Sequence, residues 1–247
     1  MNGGEQMRMG TIHGVGLGPG AADLMSLRAD RLVRGARHVA YFRKAGRAGQ
    51  ARRIIEGLLH PQAVEYPMEY PVTTEIPLSD PRYNALLSAF YADWAARLQA
   101  LAADGQEVVV LCEGDPFFYG SFMHLYTRLR GRVPVAVVPG ITGMSAAWTA
   151  SGVPITWGDD VLAVLTAILP ESELTRRIAD TDALVVMKIG RHLDKLKRAL
   201  HAAGRLERAW LVQNAAMPAE QVQPLAEVEG EVPYFSIVLV HGQGRRP

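Results

Sequence analysis

Three short turns rich in glycine and proline, each placed at the end of an apolar run, constrain what this chain can fold into more than any other feature. They are Gly14-Val15-Gly16-Leu17-Gly18-Pro19-Gly20, Glu113-Gly114-Asp115-Pro116-Phe117-Phe118-Tyr119-Gly120 and Pro139-Gly140-Ile141-Thr142-Gly143. The runs that lead into them, residues 11–15, 107–112 and 135–138, read as strands. The middle run is apolar without alternation, as expected of a strand covered on both faces. Helical spacing lies between the strands, over 24–36 and over 82–103. In the second of these, Tyr83, Leu87, Phe90, Trp94, Leu98 and Leu101 line one face and Gly105 stands at the C-cap position. Alternating strands and helices predict a mostly parallel sheet. Such sheets bind ligands at the carboxyl ends of their strands, where all three turns lie.

The rest of the chain extends this pattern. Residues 39–42 read as a short strand, 47–59 as a basic amphipathic helix and 122–130 as a further helix. Residues 61–81 carry five prolines, which excludes a regular helix and predicts a long loop with an extended piece. In the second half, strands are expected over 161–166, 183–188, 210–213 and 235–240, and helices over 142–151, 171–179 and 193–203. Residues 215–233 have little helical signal, so the last two strands should pair antiparallel. A boundary near 134–139 gives an N-terminal α/β domain over 1–134 and a C-terminal α/β domain over 135–247.

Composition excludes several classes. Of 247 residues 49% are apolar, enough for a large core, and 26 Lys plus Arg against 25 Asp plus Glu leave a net charge of +1. That balance makes no case for binding nucleic acid or a membrane surface. The single cysteine, Cys112, excludes an internal disulfide and a multi-cysteine metal site, and its apolar run marks it as a core thiol. No window reaches about 18 consecutive apolar residues, and residues 1–9 lack an apolar signal core, so a cytoplasmic protein is expected.

Each turn alone supports two readings. The first has the glycines of a dinucleotide fingerprint but has Pro19 and Ala21 where its third glycine should stand. No acid lies between Asp30 and Glu56 to hold a ribose, which argues against an oxidoreductase. It is a structural turn or a ligand loop. The second offers Glu113 and Asp115 at a strand end, either as ligand contacts or with Asp115 as an N-cap and Pro116 at the first helical position. In the third, Thr142 is a ligand contact or a plain N-cap.

Taken in order, the motifs resemble the tetrapyrrole (class III) methyltransferases along nearly the whole chain. The carriers are residues 15–20, Gly114-Asp115-Pro116 with Tyr119-Gly120, Pro139-Gly140-Ile141-Thr142, and a C-terminal block of residues 184–188 and 212–214. Tyr70-Pro71-Val72-Thr73-Thr74, Glu113 to Ser121 and Pro233-Tyr234-Phe235-Ser236 resemble more narrowly the members that methylate C20 of precorrin-2, near those acting on cobalt-factor II. The resemblance implies two α/β domains with the cofactor cleft between them, a homodimer, a tetrapyrrole substrate, S-adenosylmethionine as methyl donor and no metal. Cofactor contacts are implied at Pro19, Glu113, Gly114, Asp115, Phe118, Thr142, Gly143, Met187, Ala215, Phe235 and Ser236. Glu113 and Tyr119 are the candidate catalytic residues. Two departures stand out: Ala21 replaces an acid common in the family, and Glu113 replaces the first of two glycines. A polycarboxylate substrate needs cations, and Arg43, Lys44, Arg47, Arg52 and Arg53 form the densest basic cluster, which also reads as a solvated helix face. A tetrapyrrole carrier without catalysis is the remaining alternative.

Overall fold

The computed structural model describes residues 8–73, 75–77 and 80–245. The chain divides into two compact units, one ending at Thr142 and the other beginning at Gly143.

The first unit runs β1 (Ile12–Gly16), α1 (Leu27–Gly35), β2 (His38–Lys44), α2 (Gln50–Ile54), β3 (Val64–Tyr70), α3 (Pro81–Ala103), β4 (Val108–Cys112), α4 (Phe122–Leu129) and β5 (Val135–Val138). Its five strands are all parallel, in the order β3-β2-β4-β1-β5. β4 is buried at every residue because β2 and β1 flank it and helices cover both faces. Val108, Val110 and Cys112 pack with α3 and α4, while Val109 and Leu111 pack with α1 and α2. Cys112 is accordingly a buried free thiol.

Two expectations shift here. The helix expected over 47–59 closes after one turn and a half, at Ile54, and the chain reverses through Gly57 at φ +76°. The extended piece expected in the proline-rich segment is β3, an edge strand on β2. Pro67 is tolerated there because an edge strand leaves half its backbone donors unpaired. α3 begins at an Asp80 cap with Pro81 in the first turn. Its deepest residues are Tyr91, Ala95, Leu98 and Ala102, about one position round from the expected stripe, with Phe90 and Trp94 at the margin.

The second unit runs α5 (Gly143–Ala150), β6 (Leu162–Thr166), α6 (Glu171–Ala179), β7 (Ala183–Met187), α7 (Leu193–Ala202), β8 (Ala209–Gln213), β9 (Gln221–Pro224) and β10 (Ser236–Val240). The sheet order is β6-β7-β10-β8-β9. β6 and β7 are parallel, and β10 is antiparallel to β7 and to β8, as the short connection required. Leu184 and Val186 face α6 and α7, whereas Ala183 and Val185 face α5. β9, unexpected from sequence, is a polar edge strand. The boundary expected at residue 134 falls ahead of β5, but β5 hydrogen-bonds to β1 in the first sheet, so the division by contacts comes later. Among the described residues no helix is long and apolar enough to cross a membrane.

At the carboxyl edge of the first sheet the three turns meet backbone to backbone. A Cβ on Gly140 would stand 2.0 Å from the Gly114 carbonyl oxygen, and one on Gly16 would stand 2.6 Å from the Gly140 nitrogen. We therefore expect Gly140→Ala to cost about 3 kcal/mol or more in urea denaturation. Gly35→Ala, inside α1 with open space around it, should be neutral or stabilising by up to about 1 kcal/mol.

Candidate functional site

The neighbouring strands β4, β1 and β5 each end in one of the three turns, so the sheet order itself gathers them. The backbone then ties them together. The Leu17 N–H donates to the Cys112 carbonyl at 2.9 Å, and the Gly114 N–H donates to the Gly18 carbonyl at 2.8 Å. Pro19 is buried beside this bridge. The first turn thus has a structural role in addition to any contact with a ligand.

Asp115 is the side-chain clasp of the group. Its Oδ1 accepts from the Phe117 N–H at 2.8 Å, and its Oδ2 accepts from the Gly140 N–H at 3.0 Å, joining the second turn to the third. It does not cap α4, which starts at Phe122 after Ser121. The N-cap reading of Asp115 is therefore corrected: the carboxylate forms an Asx turn and a cross-link between loops. Thr142, by contrast, directly precedes α5.

Glu113 follows β4 and keeps an open side-chain surface. Protein crowds it nonetheless, and that desolvation pushes its carboxyl from an ordinary value of 4.5 up to about 7, against a hydrogen bond from the Ala51 backbone N–H that lowers it. A carboxyl shifted toward neutrality suits proton transfer near pH 7. Tyr119 lies six positions on, 47% exposed, with its backbone at φ +54° and its ring edge-on to Phe118, 4.9 Å between centroids. Phe117 and Ile141 are also exposed on these turns, giving an apolar lining to the sheet edge.

The second unit has an equivalent edge. The carboxyl ends of β6, β7 and β8 and the amino end of β10 lie together there. Ala167 N–H donates to the Met187 carbonyl at 2.8 Å, and Asn214 N–H donates to the Phe235 carbonyl at 2.8 Å. Met187, Ala215, Phe235 and Ser236 are thus neighbours, as their implied shared role needs. Ala215 is buried and Met187 half-buried against the α5 side of the sheet. Ser236 is 2% exposed, and its Oγ has no hydrogen-bond partner among the described residues. Gly143 opens α5, and a Cβ there would meet only Ile237, at 3.7 Å.

Backbone strain concentrates at the same places. Among the described residues the non-glycine positions with positive φ are Tyr119, Lys188, Asn214 and Ala216. They follow β4, β7 and β8. Such conformations cost about 1–3 kcal/mol each and persist where the surroundings over-determine them, often at functional sites. Sequence reasoning passed over Lys188, Asn214 and Ala216: Asn214 is a residue type that tolerates the left-handed region, whereas nothing about Lys188 or Ala216 announces it. It also passed over the link between Ser121 and Tyr91, because Tyr91 stands one position off the expected apolar stripe of that helix.

The basic cluster is largely neutralised. Arg43 pairs with Glu69, Lys44 with Glu75 at 2.8 Å, and Arg52 with both oxygens of Glu65 at 2.7 and 3.1 Å. The Arg52 guanidinium holds the Glu65 carboxyl below its usual range. Glu75 also accepts from the backbone and hydroxyl of Thr73, so Lys44 helps to anchor the proline-rich segment. Thr74, the last residue of that motif, lies outside the described residues. Arg47 and Arg53 are exposed, without a carboxylate partner among the described residues. No group of three or more His, Cys, Asp or Glu among the described residues is arranged to hold a metal. A hollow of about 200 Å³ lined by Asp160, Asp182, Arg205 and Arg208 opens at the opposite edge of the second sheet from Met187 and Ala215.

Residues 11–229 match the model of the Tetrapyrrole (Corrin/Porphyrin) Methylases. A precorrin-2 C(20)-methyltransferase of Sinorhizobium sp. is 49% identical over 97% of this chain and 98% of its own length. A cobalt-precorrin-2 C(20)-methyltransferase of Salmonella typhimurium is 30% identical over 95% of this chain and 97% of its own. Among solved structures, the uroporphyrin-III C-methyl transferase of Thermus thermophilus complexed with S-adenyl homocysteine superposes with a TM-score of 0.65 at 25% identity, covering 94% of this chain and 97% of that one. This chain belongs to the tetrapyrrole methylase family.

The clasp makes a measurable demand. A hydrogen bond to a charged group contributes about 1.5–3 kcal/mol, so Asp115→Ala should lose about 2–3 kcal/mol in urea denaturation. Hydrogen exchange should show the Gly140 amide losing protection in the same variant, and Asp115→Asn should fall between it and the unmodified chain.

Proposed function

We propose that this chain transfers one methyl group from S-adenosylmethionine to the bridging carbon C20 of precorrin-2, giving precorrin-3A in cobalamin synthesis. The observation that carries this reading is the end-to-end similarity to the Sinorhizobium C20-methyltransferase. The loop geometry is consistent with it.

The residues present fit the cofactor. Met187 and Ala215 offer apolar flanks for an adenine, and the buried, unpartnered Ser236 hydroxyl is a polar atom placed to meet a ligand. Pro19, Gly114, Asp115, Phe118, Thr142, Gly143 and Phe235 complete the proposed contacts, each at the carboxyl edge of its own sheet or on the turn that follows. When bound, S-adenosylmethionine supplies a methyl group made electrophilic by its sulfonium.

The chain's own residues then have two tasks. The first is orientation, which can lower a barrier by roughly 7–11 kcal/mol when reacting atoms are held in line. The Asp115 clasp and the glycine contacts hold the turns rigid for this. The second is proton transfer, since the methylated bridging carbon must lose its proton. Glu113 is the base in this reading: its carboxylate takes that proton, and its raised pKa makes it a stronger base than an ordinary carboxylate. Tyr119, exposed on the same turn, is the second candidate. Arg47 and Arg53 are the cations of the basic cluster that remain to meet substrate carboxylates. The family resemblance supports a homodimer, which light scattering would test.

The reading is tested with a carbon-13 methyl donor and precorrin-2. Label at C20 is the expected result, and label at a pyrrole β-carbon would overturn it. Turnover only with the cobalt-loaded substrate would keep the chemistry and change the substrate, as in the Salmonella relative. Glu113 gives a second test. As a base it works deprotonated, so kcat should rise with pH through about 7, and Glu113→Gln should flatten the profile and lower kcat about 100-fold. Stability should move in the opposite sense. A carboxyl whose pKa is raised on folding contributes most below its unfolded value and loses that contribution as pH rises through the folded one. Glu113→Gln should therefore be more stable than the unmodified chain above pH ~7.

A further inference from the structure

Ser121 stands at the N-cap position of α4, where a serine hydroxyl ordinarily accepts from the helix's first N–H groups. Here it caps nothing: its backbone is already helical, at φ −64° and ψ −22°, and its side chain makes no cap bond. The hydroxyl is engaged elsewhere. Tyr91, from the buried face of α3, donates to Ser121 Oγ at 3.2 Å, and the hydroxyl of Tyr70, the last residue of β3, shares a hydrogen bond with the same oxygen. Both tyrosines are rigidly seated. Tyr70 stacks on Phe42 at 5.6 Å and meets Phe90 at 5.4 Å, while Tyr91 packs against Phe90 at 5.2 Å and His124 at 4.5 Å. Three segments far apart in sequence thus converge on one oxygen.

That oxygen lies two residues after Tyr119, which holds its left-handed backbone at φ +54°. For an aromatic residue this conformation must be imposed from outside. Upstream, the Asp115 clasp fixes Phe117 and Gly140. Downstream, Ser121 ties the end of the turn to β3 and α3 through Tyr70 and Tyr91. We propose that Ser121 is a positioning residue: through its bonds to Tyr70 and Tyr91 it holds the turn carrying Tyr119 in the geometry needed for methyl transfer. The proposal rests on the methyltransferase reading above. It also explains why the end of the proline-rich segment and the Glu113-to-Ser121 segment occur together, since Tyr70 and Ser121 join them physically.

The test compares Ser121→Ala, Ser121→Thr and Tyr70→Phe in the full chain. We expect Ser121→Ala to lower kcat about ten-fold while KM for precorrin-2 and the affinity for S-adenosylhomocysteine stay within about two-fold. Hydrogen exchange over residues 117–120 should quicken. Ser121→Thr keeps the hydroxyl and should recover most of kcat, and Tyr70→Phe should reproduce part of the loss without adding fully to Ser121→Ala. Unchanged kcat in Ser121→Ala, or a loss matched by the fraction unfolded with exchange over 117–120 unaltered, would overturn the proposal. If Ser121→Ala does not fold, Tyr70→Phe decides by the same two readouts. Inactivity of the unmodified chain toward precorrin-2 would count against the methyltransferase reading instead, and the exchange measurement would still report whether Ser121 holds the turn.

Discussion

Contact between Gly16, Gly114 and Gly140 is the constraint on which the first unit's edge depends. Three parallel strands can end side by side with their loops touching only if no side chain stands between the backbones. A single Cβ at Gly140 would fall inside the van der Waals radius of the Gly114 carbonyl oxygen. With the backbones this close, the Gly114 N–H reaches the Gly18 carbonyl, and the Asp115 carboxylate reaches the Gly140 N–H. The loops become a single hydrogen-bonded layer. Chemistry that requires aligned reactants needs a support of this kind, because loops on a sheet edge are otherwise the most mobile part of an α/β unit.

The polar side chains around that layer serve the loops before they serve any ligand. Asp115 spends both oxygens on backbone donors. Lys44 and Glu75 hold Thr73, and Ser121 joins Tyr70 to Tyr91. Glu113 is the exception. It receives a backbone N–H from Ala51, yet desolvation dominates and leaves its carboxyl poised near neutrality. In the second unit, the Ser236 hydroxyl is a comparable exception, buried without a hydrogen-bond partner among the described residues. Both lie at a proposed ligand-facing strand edge, one a raised acid and one an orphaned hydroxyl.

Much of this was legible in the order of residues. The β-branched apolar run before Glu113 pointed to β4 as a strand covered on both faces, where alternation is not needed. The glycines and prolines placed the turns, and the short connection before residue 235 set antiparallel pairing. Less was legible where a segment carries no apolar signal. β9, Gln-Val-Gln-Pro, is held by edge pairing to β8 and has no core face strong enough to mark it. The helix expected over 47–59 stops short because Gly57 turns the chain, a local choice that periodicity does not weigh.

The sequence by itself determined the core strands, the turns at their ends, the chemistry available in those turns and the family to which the motifs are similar. Each of these depends on residue type within a window of a few positions. Tertiary structure decided the strand order, β3-β2-β4-β1-β5, that sets three separate turns side by side. It also decided that most of the basic cluster is spent on glutamates, that Asp115 is a clasp, and that Ser121 bonds to tyrosines 51 and 30 positions away. A hydrogen bond or an ion pair is specified by the distance between atoms in space, and sequence separation carries no record of that distance until the sheet has formed.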